Sequence, residues 1–447
     1  MHNSMYQIQA LADIANEYLK TIYGEFLIVN NSNMYNFDMI QTILRKGKYT
    51  SRYRLFLLYP DEKINYEIPQ SDIINDAGNY TENYQNGQRR NANISLVNIN
   101  GQYTPNINSI WVYDKFRLDV GVEYNDEVFW FPRGIYIMGN PSVQHNDSDK
   151  QISLSLVDKF ALLEGHMGTL ETTYEIPEGT DIESAIKAIL TIDSGSGYAL
   201  DLKPIIYDHS FKGRRTPYTI RKDAGSNFGE IILELASILG AECFYNDIGN
   251  LCFIPINETV VDENKPIIWD FSDEQKEFIS SNSNYDFENV VNEVDVIGDN
   301  INNKIVSAVA RNEDPESPIC IQRIGRRVKY LNDAAIYSDE LAQDRANYEL
   351  RCCRILGTKI SISTTFNPLL FVDNIITIED SYYKYKREKF LIQSISYSLG
   401  SSNQMTITCS ALSNLNTSDE ETKSYLADNA HNFITTVYQD FLVVTRR

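Results

Sequence analysis

Nowhere in the 447 residues is there a run of about 18 apolar residues, so the sequence offers no membrane-spanning helix. The start, MHNSMYQIQALADIANEY, has neither the basic n-region nor the long apolar core of a secretory signal. Cysteine is sparse, with six residues in all, too few for a disulfide scaffold. Cys352 and Cys353 are adjacent, Cys243 and Cys252 lie nine apart, and Cys320 and Cys409 stand alone. None has CxxC spacing, so buried free thiols of a reducing compartment are expected. Histidine is scarcer still. His2, His145, His166, His209 and His431 form no HExxH or HxH pair, which excludes a local zinc motif. There is no GxSxG elbow and no Gly-rich phosphate loop. Basic charge is also short: 40 Lys and Arg stand against 61 Asp and Glu, a formal charge of −21. Such a field repels nucleic acid, because duplex affinity is built from Lys and Arg neutralising phosphates. It suits a soluble acidic protein or a surface past which DNA slides without sticking.

What is present is a β pattern that comes twice. From Asp114 to Gly165 the chain reads DKFRLDVGVEYNDEVFWFPRGIYIMGNPSV, a polar turn HNDSDK, then QISLSLVDKFALLEG. From Asp373 to Leu415 it reads DNIITIEDSYYKYKREKFLIQSISYSLG, a polar turn SSN, then QMTITCSALSNL. Each copy opens with a strand and an acidic turn. Each then passes through an aromatic stretch that meets basic residues (Phe129, Trp130, Phe131 and Arg133; Tyr382, Tyr383, Tyr385, Lys386 and Arg387). The closing strands, Ile152-Ser153-Leu154-Ser155-Leu156 and Met405-Thr406-Ile407-Thr408-Cys409, have the period of two that a half-buried strand requires. Matched internal repeats let an assembly fit one rotational symmetry onto another.

With 43% hydrophobic residues, the chain has room for roughly two to four domains with cores of their own. Residues 1–48 are expected to form an N-terminal helical extension, with Ile8, Leu11, Ile14 (or Ala15) and Tyr18 at helical spacing. Residues 49–165 read as β, with NDAGNYTENYQNGQRRN as an exposed loop because it is rich in Asn and Gly. Residues 166–290 change character. A capping box at Thr180-Asp181-Ile182-Glu183 predicts a helix with Ile182, Ile186 and Ile189 on one face. A second helix from near Ser226 carries Phe228, Ile231, Ile232, Leu235 and Leu239 and ends at Gly240. AECFYNDIGNLCFIPI follows as a hairpin turning through Asn246 to Asn250. The result is a small α/β domain between two β domains.

Residues 291–415 return to β, interrupted by one helix with Ser338 as its cap and Ala342, Ala346, Leu350 and Cys353 along one side. Residues 416–447 open with another capping box, Ser418-Asp419-Glu420-Glu421. They place Leu426, Ala430, Phe433, Val437, Phe441 and Val444 at steps close to a heptad seam, with Arg446 and Arg447 suited to the helix C-terminus. Those six are the candidate subunit-interface residues; the alternative is a helix packed on its own chain.

Catalytic patterns are weak. Asp208-His209-Ser210 sets triad-type residues side by side, whereas triads are assembled across a fold. Glu164, Glu171 and Glu178 are the candidates for a glycosidase-like carboxylate pair, but among 61 acidic residues such pairs arise by chance. Arg89-Arg90, Arg214-Arg215 and Arg326-Arg327 with Lys329 are tight basic clusters. In an acidic protein the last two read as intersubunit ion-pair partners rather than a nucleic-acid groove. No catalytic residue, metal or cofactor is expected.

The segment from Ser307 to Gly357 resembles the second tube domain of phage tail hub proteins. In it a run of Ala310, Asn312, Pro315, Ser317 and Pro318 precedes an I-x-x-I-G-x-R strand (Ile321, Ile324, Gly325, Arg327) and an alanine-rich helix. The stretch FWFPRGIYIMGNPSV…KQISLSLVDKFALLEG resembles the first tube domain, and Gly225 to Ile256 the family's middle domain. Together they span about 49–415. The resemblance implies a mainly β fold with an α+β insert: two related β-barrel tube domains flanking the small α/β domain, plus terminal helices. It also implies a homotrimeric baseplate hub, akin to the central hubs of contractile phage tails and type six secretion spikes. Two barrels per chain would give a pseudo-sixfold ring. That ring would dock on a sixfold tail tube or distal tail ring and present threefold symmetry to a spike or fibre. A tape-measure protein is a further implied neighbour, DNA would only pass through the lumen, and the location would be the virion tail after synthesis in the host cytoplasm. No long C-terminal extension of the kind that carries a peptidase or fibre is present, so a purely structural, non-enzymatic hub is expected. The alternatives are a tail-associated cell-wall hydrolase and a carbohydrate-binding receptor, for which the 29 tyrosines offer stacking surfaces.

Overall fold

The computed structural model describes residues 29–30, 33–34 and 37–411, except for 108, 147–149, 194–196, 256–266, 276, 286–287, 289, 302–303, 316, 318, 334–335, 337, 355–357 and 401–402. The architecture is mainly β, with large antiparallel sheets. The chain divides into two compact units. The first comprises Met1–Ile256, Thr364–Val372 and Ser394–Thr406; the second comprises Asn257–Ser363, Asp373–Gln393 and Ile407–Arg447.

In the first unit, α1 (Phe37–Lys46) buries Ile40, Ile43 and Leu44 and carries Arg45 and Lys46 in its last turn, where cations complement the helix dipole. The strands follow as β1 (Thr50–Leu58), β2 (Ile64–Glu67), β3 (Gly78–Asn83), β4 (Arg90–Val97), β5 (Lys115–Tyr124), β6 (Glu127–Met138), β7 (Ser142–His145) and β8 (Lys150–Asp158). Their order is β3-β4-β8-β6-β5-β1-β2, with β7 hairpinned onto β8, and Ser394–Leu399 pairs antiparallel with β3. The expected exposed loop NDAGNYTENYQNGQRRN is instead β3, a short turn and the start of β4. Arg90, Ala92, Ile94 and Leu96 alternate into the interior. The asparagines that suggested a loop sit on the outer face, where Asn93 Nδ2 donates to Asn79 Oδ1 across the ladder at 2.9 Å.

The α/β part of this unit has its own core. α2 (Ile182–Leu190) buries Ile182, Ile186 and Ile189 as predicted. Its cap is displaced by one residue: the Asp181 carboxylate accepts from Ser184 N at 3.0 Å, while Thr180 Oγ1 donates to the Pro177 carbonyl. α3 (Phe228–Leu239) is capped by Asn227, which accepts from Glu230 N at 2.9 Å. Gly240 ends it at φ 65°. The hairpin β9 (Ala241–Tyr245) and β10 (Leu251–Pro255) then packs with both helices around Ile186, Ile231, Leu235 and Phe253.

The second unit contains β11 (Ile267–Ser272), β12 (Phe278–Tyr285), β13 (Glu293–Ile301), β14 (Lys304–Arg311), β15 (Val328–Asn332), α4 (Asp339–Arg354), β16 (Thr358–Thr365), β17 (Ile375–Asp380), β18 (Tyr385–Leu399) and β19 (Gln404–Ala411), with β16, β18 and β19 each lying partly in the first unit. β13 lies between antiparallel β14 and parallel β15. Val294, Val296, Val306 and Ala308 pack against Ala342, Ala346 and Leu350 of α4, whose start is capped by Ser338 as predicted. The I-x-x-I-G-x-R segment is not a strand. Ile321–Ile324 forms one helical turn that Gly325 stops at φ 74°, and pairing with β13 begins only at Val328. Cys243, Cys252, Cys320, Cys353 and Cys409 are free and buried.

Gly240→Ala puts a side chain into a left-handed cap with no compensating contact. It should cost about 1 kcal/mol in chemical denaturation, with far-UV circular dichroism unchanged.

Candidate functional site

The densest constellation of polar side chains lies inside the first unit. Arg89 and Arg90 are each only 2% exposed. Arg89 Nη2 meets Glu242 Oε2 at 2.9 Å, and its guanidinium lies 3.7 Å from the Phe244 ring centre. Arg90 Nε donates to Glu82 Oε1 at 3.0 Å, and its Nη2 pairs with Asp247 Oδ1 at 2.9 Å. Tyr80 donates to Glu82 at 3.1 Å and stacks on Tyr397 with ring centres 4.7 Å apart. Arg133 donates to the Pro368 carbonyl and lies 4.1 Å from the Phe371 ring centre. One network therefore joins β3, β4 and β6 to the β9–β10 turn and to the two segments that return from beyond residue 360.

Burial sets its electrostatics. It pushes the Asp158 and Asp247 carboxyls up to about 6, with Arg90 opposing in both cases. Burial works against the charge of Arg90 too, but Asp247 and Glu82 more than restore it. In the second unit the fully buried Glu293 side chain accepts from Arg326 through both oxygens and from Arg311 Nε at 3.1 Å. Arg326 holds it at about 2 against burial, with Arg311 adding to the effect.

The two meanders share the geometry of their opening. Tyr113 at φ 65° precedes Asp114, whose carbonyl accepts from Met138 N at 3.0 Å. Asp373 at φ 69° precedes Asn374, whose carbonyl accepts from Ile392 N at 2.9 Å. Lys115 then pairs with Ile137, and Ile375 with Leu391. The closing strands bury Ile152, Leu154 and Leu156 in one copy and Met405, Ile407 and Cys409 in the other. The flanks differ: β1 runs antiparallel to β5, whereas β11 runs parallel to β17.

No family model matches the sequence, and no curated protein does. Solved structures do match the fold. The tail protein from Neisseria meningitidis MC58 superimposes with a TM-score of 0.56 at 11% identity, over 80% of this chain and 96% of that one. The 43 kDa tail protein of prophage MuSo2 from Shewanella oneidensis gives 0.55 at 14% identity, over 81% and 99%. The chain shares the fold of these two tail proteins.

Within this tail-protein fold the residues singled out from sequence take up varied places. Leu426, Ala430, Phe433, Val437, Phe441 and Val444 lie outside the described residues, as does the helix expected from Ile8 to Tyr18. Asp208 accepts from Ser210 N at 2.8 Å and from its hydroxyl at 2.6 Å, so Asp208-His209-Ser210 is a local turn cap. Glu164 is half-buried, its carboxyl raised by burial, beside a cleft of about 310 Å³ lined by Tyr113, Ile137, Met138, Val157 and His166. Glu171 and Glu178 are exposed. Arg326 and Lys329, read as intersubunit partners, pair with Glu293 and Glu349 of their own chain. Among the described residues no group of three or more His, Cys, Asp or Glu is placed to hold a metal, and no helix is long and apolar enough to cross a membrane. The charge network itself was missed. Its signal is the period-two run Arg90, Ala92, Ile94, Leu96, which puts an arginine on the apolar face of a strand.

Arg90→Met leaves Glu82 and Asp247 buried without their cation, and should lower stability by about 3–5 kcal/mol in urea titration. The pH dependence has a defined sign. Folded Asp158 and Asp247 take up protons near 6 and unfolded aspartates near 3.8, so stability falls as pH rises through 6. Thermal melts should shift upward from pH 7 to pH 5, and Asp158→Asn, which keeps an acceptor for Phe160 N, should flatten that shift.

Proposed function

We propose that the protein is the structural hub of a bacteriophage tail or phage-tail-like particle. The observation that carries this reading is the fold shared with two tail proteins over nearly their whole lengths. The paired meanders with matching strand openings support an adaptor role. In this reading residues 49–165 and 291–415 are two related β-barrel tube domains flanking the α/β domain of 166–290. Three chains place six tube domains in a pseudo-sixfold ring. The ring joins the sixfold tail tube, or a distal tail ring, to a threefold spike or fibre, with a tape-measure protein as a possible neighbour in the lumen. Excess negative charge suits a conduit through which DNA slides without binding. The chain acts by assembly and without catalysis, in the virion tail. The seam of Leu426, Ala430, Phe433, Val437, Phe441 and Val444 joins the subunits, with residues 1–48 as an extension.

Light scattering over a concentration series should give a mass of about three times 51.2 kDa for the full chain. A variant ending at Asn416 should fall to monomer. A full chain that stays monomeric, alone and with tail tubes added, overturns the trimeric hub. A trimer that survives the truncation overturns the seam alone.

A further inference from the structure

β2 is the last strand of the first unit's sheet. It pairs with β1 through Phe56 and Glu67, Leu57 and Tyr66, and Leu58 and Ile64, and among the described residues no strand meets its outer side. All four of its residues are exposed. An open row of backbone N–H and C=O groups is a template for another strand, which proteins usually cover or block. Here the edge is flanked by apolar surface. Ile64 and Tyr66 are 49% and 38% exposed, and Tyr59, Trp111, Val112 and Tyr113 are exposed as well. These groups are neighbours: Leu58 pairs with Lys115, and Asp114 accepts from Trp111 N at 2.7 Å. Burial, and then the nearby Asp114 carboxylate, raises the Tyr66 phenol. Tyr and Trp are the side chains most enriched at the energetic centres of interfaces.

The edge is also fixed in place. Glu62, in the turn before β2, holds φ 65°, a conformation rare for a residue with a side chain. Its carboxylate is 2% exposed and reaches Lys159 at 2.7 Å, Lys115 at 2.9 Å and Lys203 at 3.4 Å. Lys159 is itself fully buried and bonds Asp201 at 2.7 Å and the Gly249 carbonyl at 2.9 Å. This anchor ties the hairpin to the β9–β10 turn, so a partner meets a preorganised strand and loses less entropy in docking. The cations nearby are paired within the chain, Lys115 with Glu62, Lys63 with Asp61, and Arg54 and Arg117 together with Asp119. Glu67 and Asp114 are left at the rim.

We propose that the outer edge of β2 is a docking site for an extended segment of another protein, one that adds a strand to the sheet. Its apolar side chains alternate and lie on Ile64, Tyr66, Trp111 and Val112, and at least one Lys or Arg meets the Glu67 and Asp114 rim. The acidic rim, on a chain of formal charge −21, favours a basic partner over a second copy. This proposal uses no residue of the terminal seam and does not depend on the hub reading.

The test uses the full chain and a labelled blocked peptide, acetyl-Lys-Val-Arg-Val-Lys-Val-amide, with its Glu-for-Lys/Arg analogue as the control. Fluorescence anisotropy should show saturable binding of the basic peptide. Binding should weaken by roughly tenfold or more for the acidic analogue and for Tyr66→Glu, the loss expected of one central anchor. Amide exchange at residues 64–67 should slow when the basic peptide binds. No saturable binding, equal binding of the two peptides, or binding without protection of 64–67 overturns the proposal. So does concentration-dependent protection of 64–67 in the peptide-free chain, which would assign the edge to a second copy.

Discussion

A guanidinium inside a β-sheet core is costly unless its charge and its donors are matched, because the penalty for removing an ion from water is several kcal/mol. Arg90 meets that condition through Glu82 and Asp247, and much of the first unit follows from it. Glu82 and Arg90 are direct cross-strand partners of β3 and β4. A slip of one residue would turn Arg90 to the outer face and bring Asn91 inward, so the ion pair specifies the register. Asp247 anchors the β9–β10 turn from the same guanidinium. The Tyr80–Tyr397 stack and the Arg133 contact with Pro368 fix the two returning segments around it. Replacing such a network with apolar residues need not destabilise a fold, so the network is not by itself a source of net stability.

The paired meanders show what a repeat keeps and what it releases. Both begin with a left-handed residue whose successor's carbonyl closes the first ladder bond, and both end on a strand with alternate residues buried. Those features set where the meander starts and which face it hides. The connecting turns differ. Asn125 and Asp126, both at positive φ, make a tight two-residue reversal, while the second copy uses Ser381 to Lys384. The flanking strands differ in direction as well, antiparallel β1 in one case and parallel β11 in the other. The differences lie at the turns and flanks, where a module meets its surroundings.

Legibility in the sequence followed the range of the interaction responsible. α2, α3 and α4 were readable because caps and apolar spacing act within a few residues, and the closing strands because a period of two needs only the strand itself. The cap of α2 was misplaced by one residue because Thr180 and Asp181 both qualify, and the carboxylate is the stronger acceptor for the helix donors. Ile321–Ile324 looked like a strand because its apolar spacing suits several local structures, and only Gly325 at positive φ reveals the turn. Arg89 and Arg90 were read as surface charge because their partners lie elsewhere: Glu242 and Asp247 are more than 150 residues away in the chain. No local pattern announces a partner at that distance.

The same long separations constrain how the first unit is completed. Its sheet from β1 to β8 and its α/β core are encoded before residue 257, yet Thr364–Val372 and Ser394–Thr406 belong to it. Ser51 N donates to Asn403 Oδ1 at 2.8 Å, Asn403 Nδ2 donates to the Tyr49 carbonyl at 2.7 Å, and Ser394–Leu399 fills the outer side of β3. Until those residues are made, β3 presents an open edge, and Tyr80 and Arg133 lack Tyr397, Phe371 and the Pro368 carbonyl. Long-range pairing pays its loop-closure entropy before any contact rewards it. The intervening chain, which carries the second unit, is that loop. Buried Arg133 gains the Pro368 carbonyl and the Phe371 ring only when the first of those segments docks, so closing that loop also completes the surroundings of the charge.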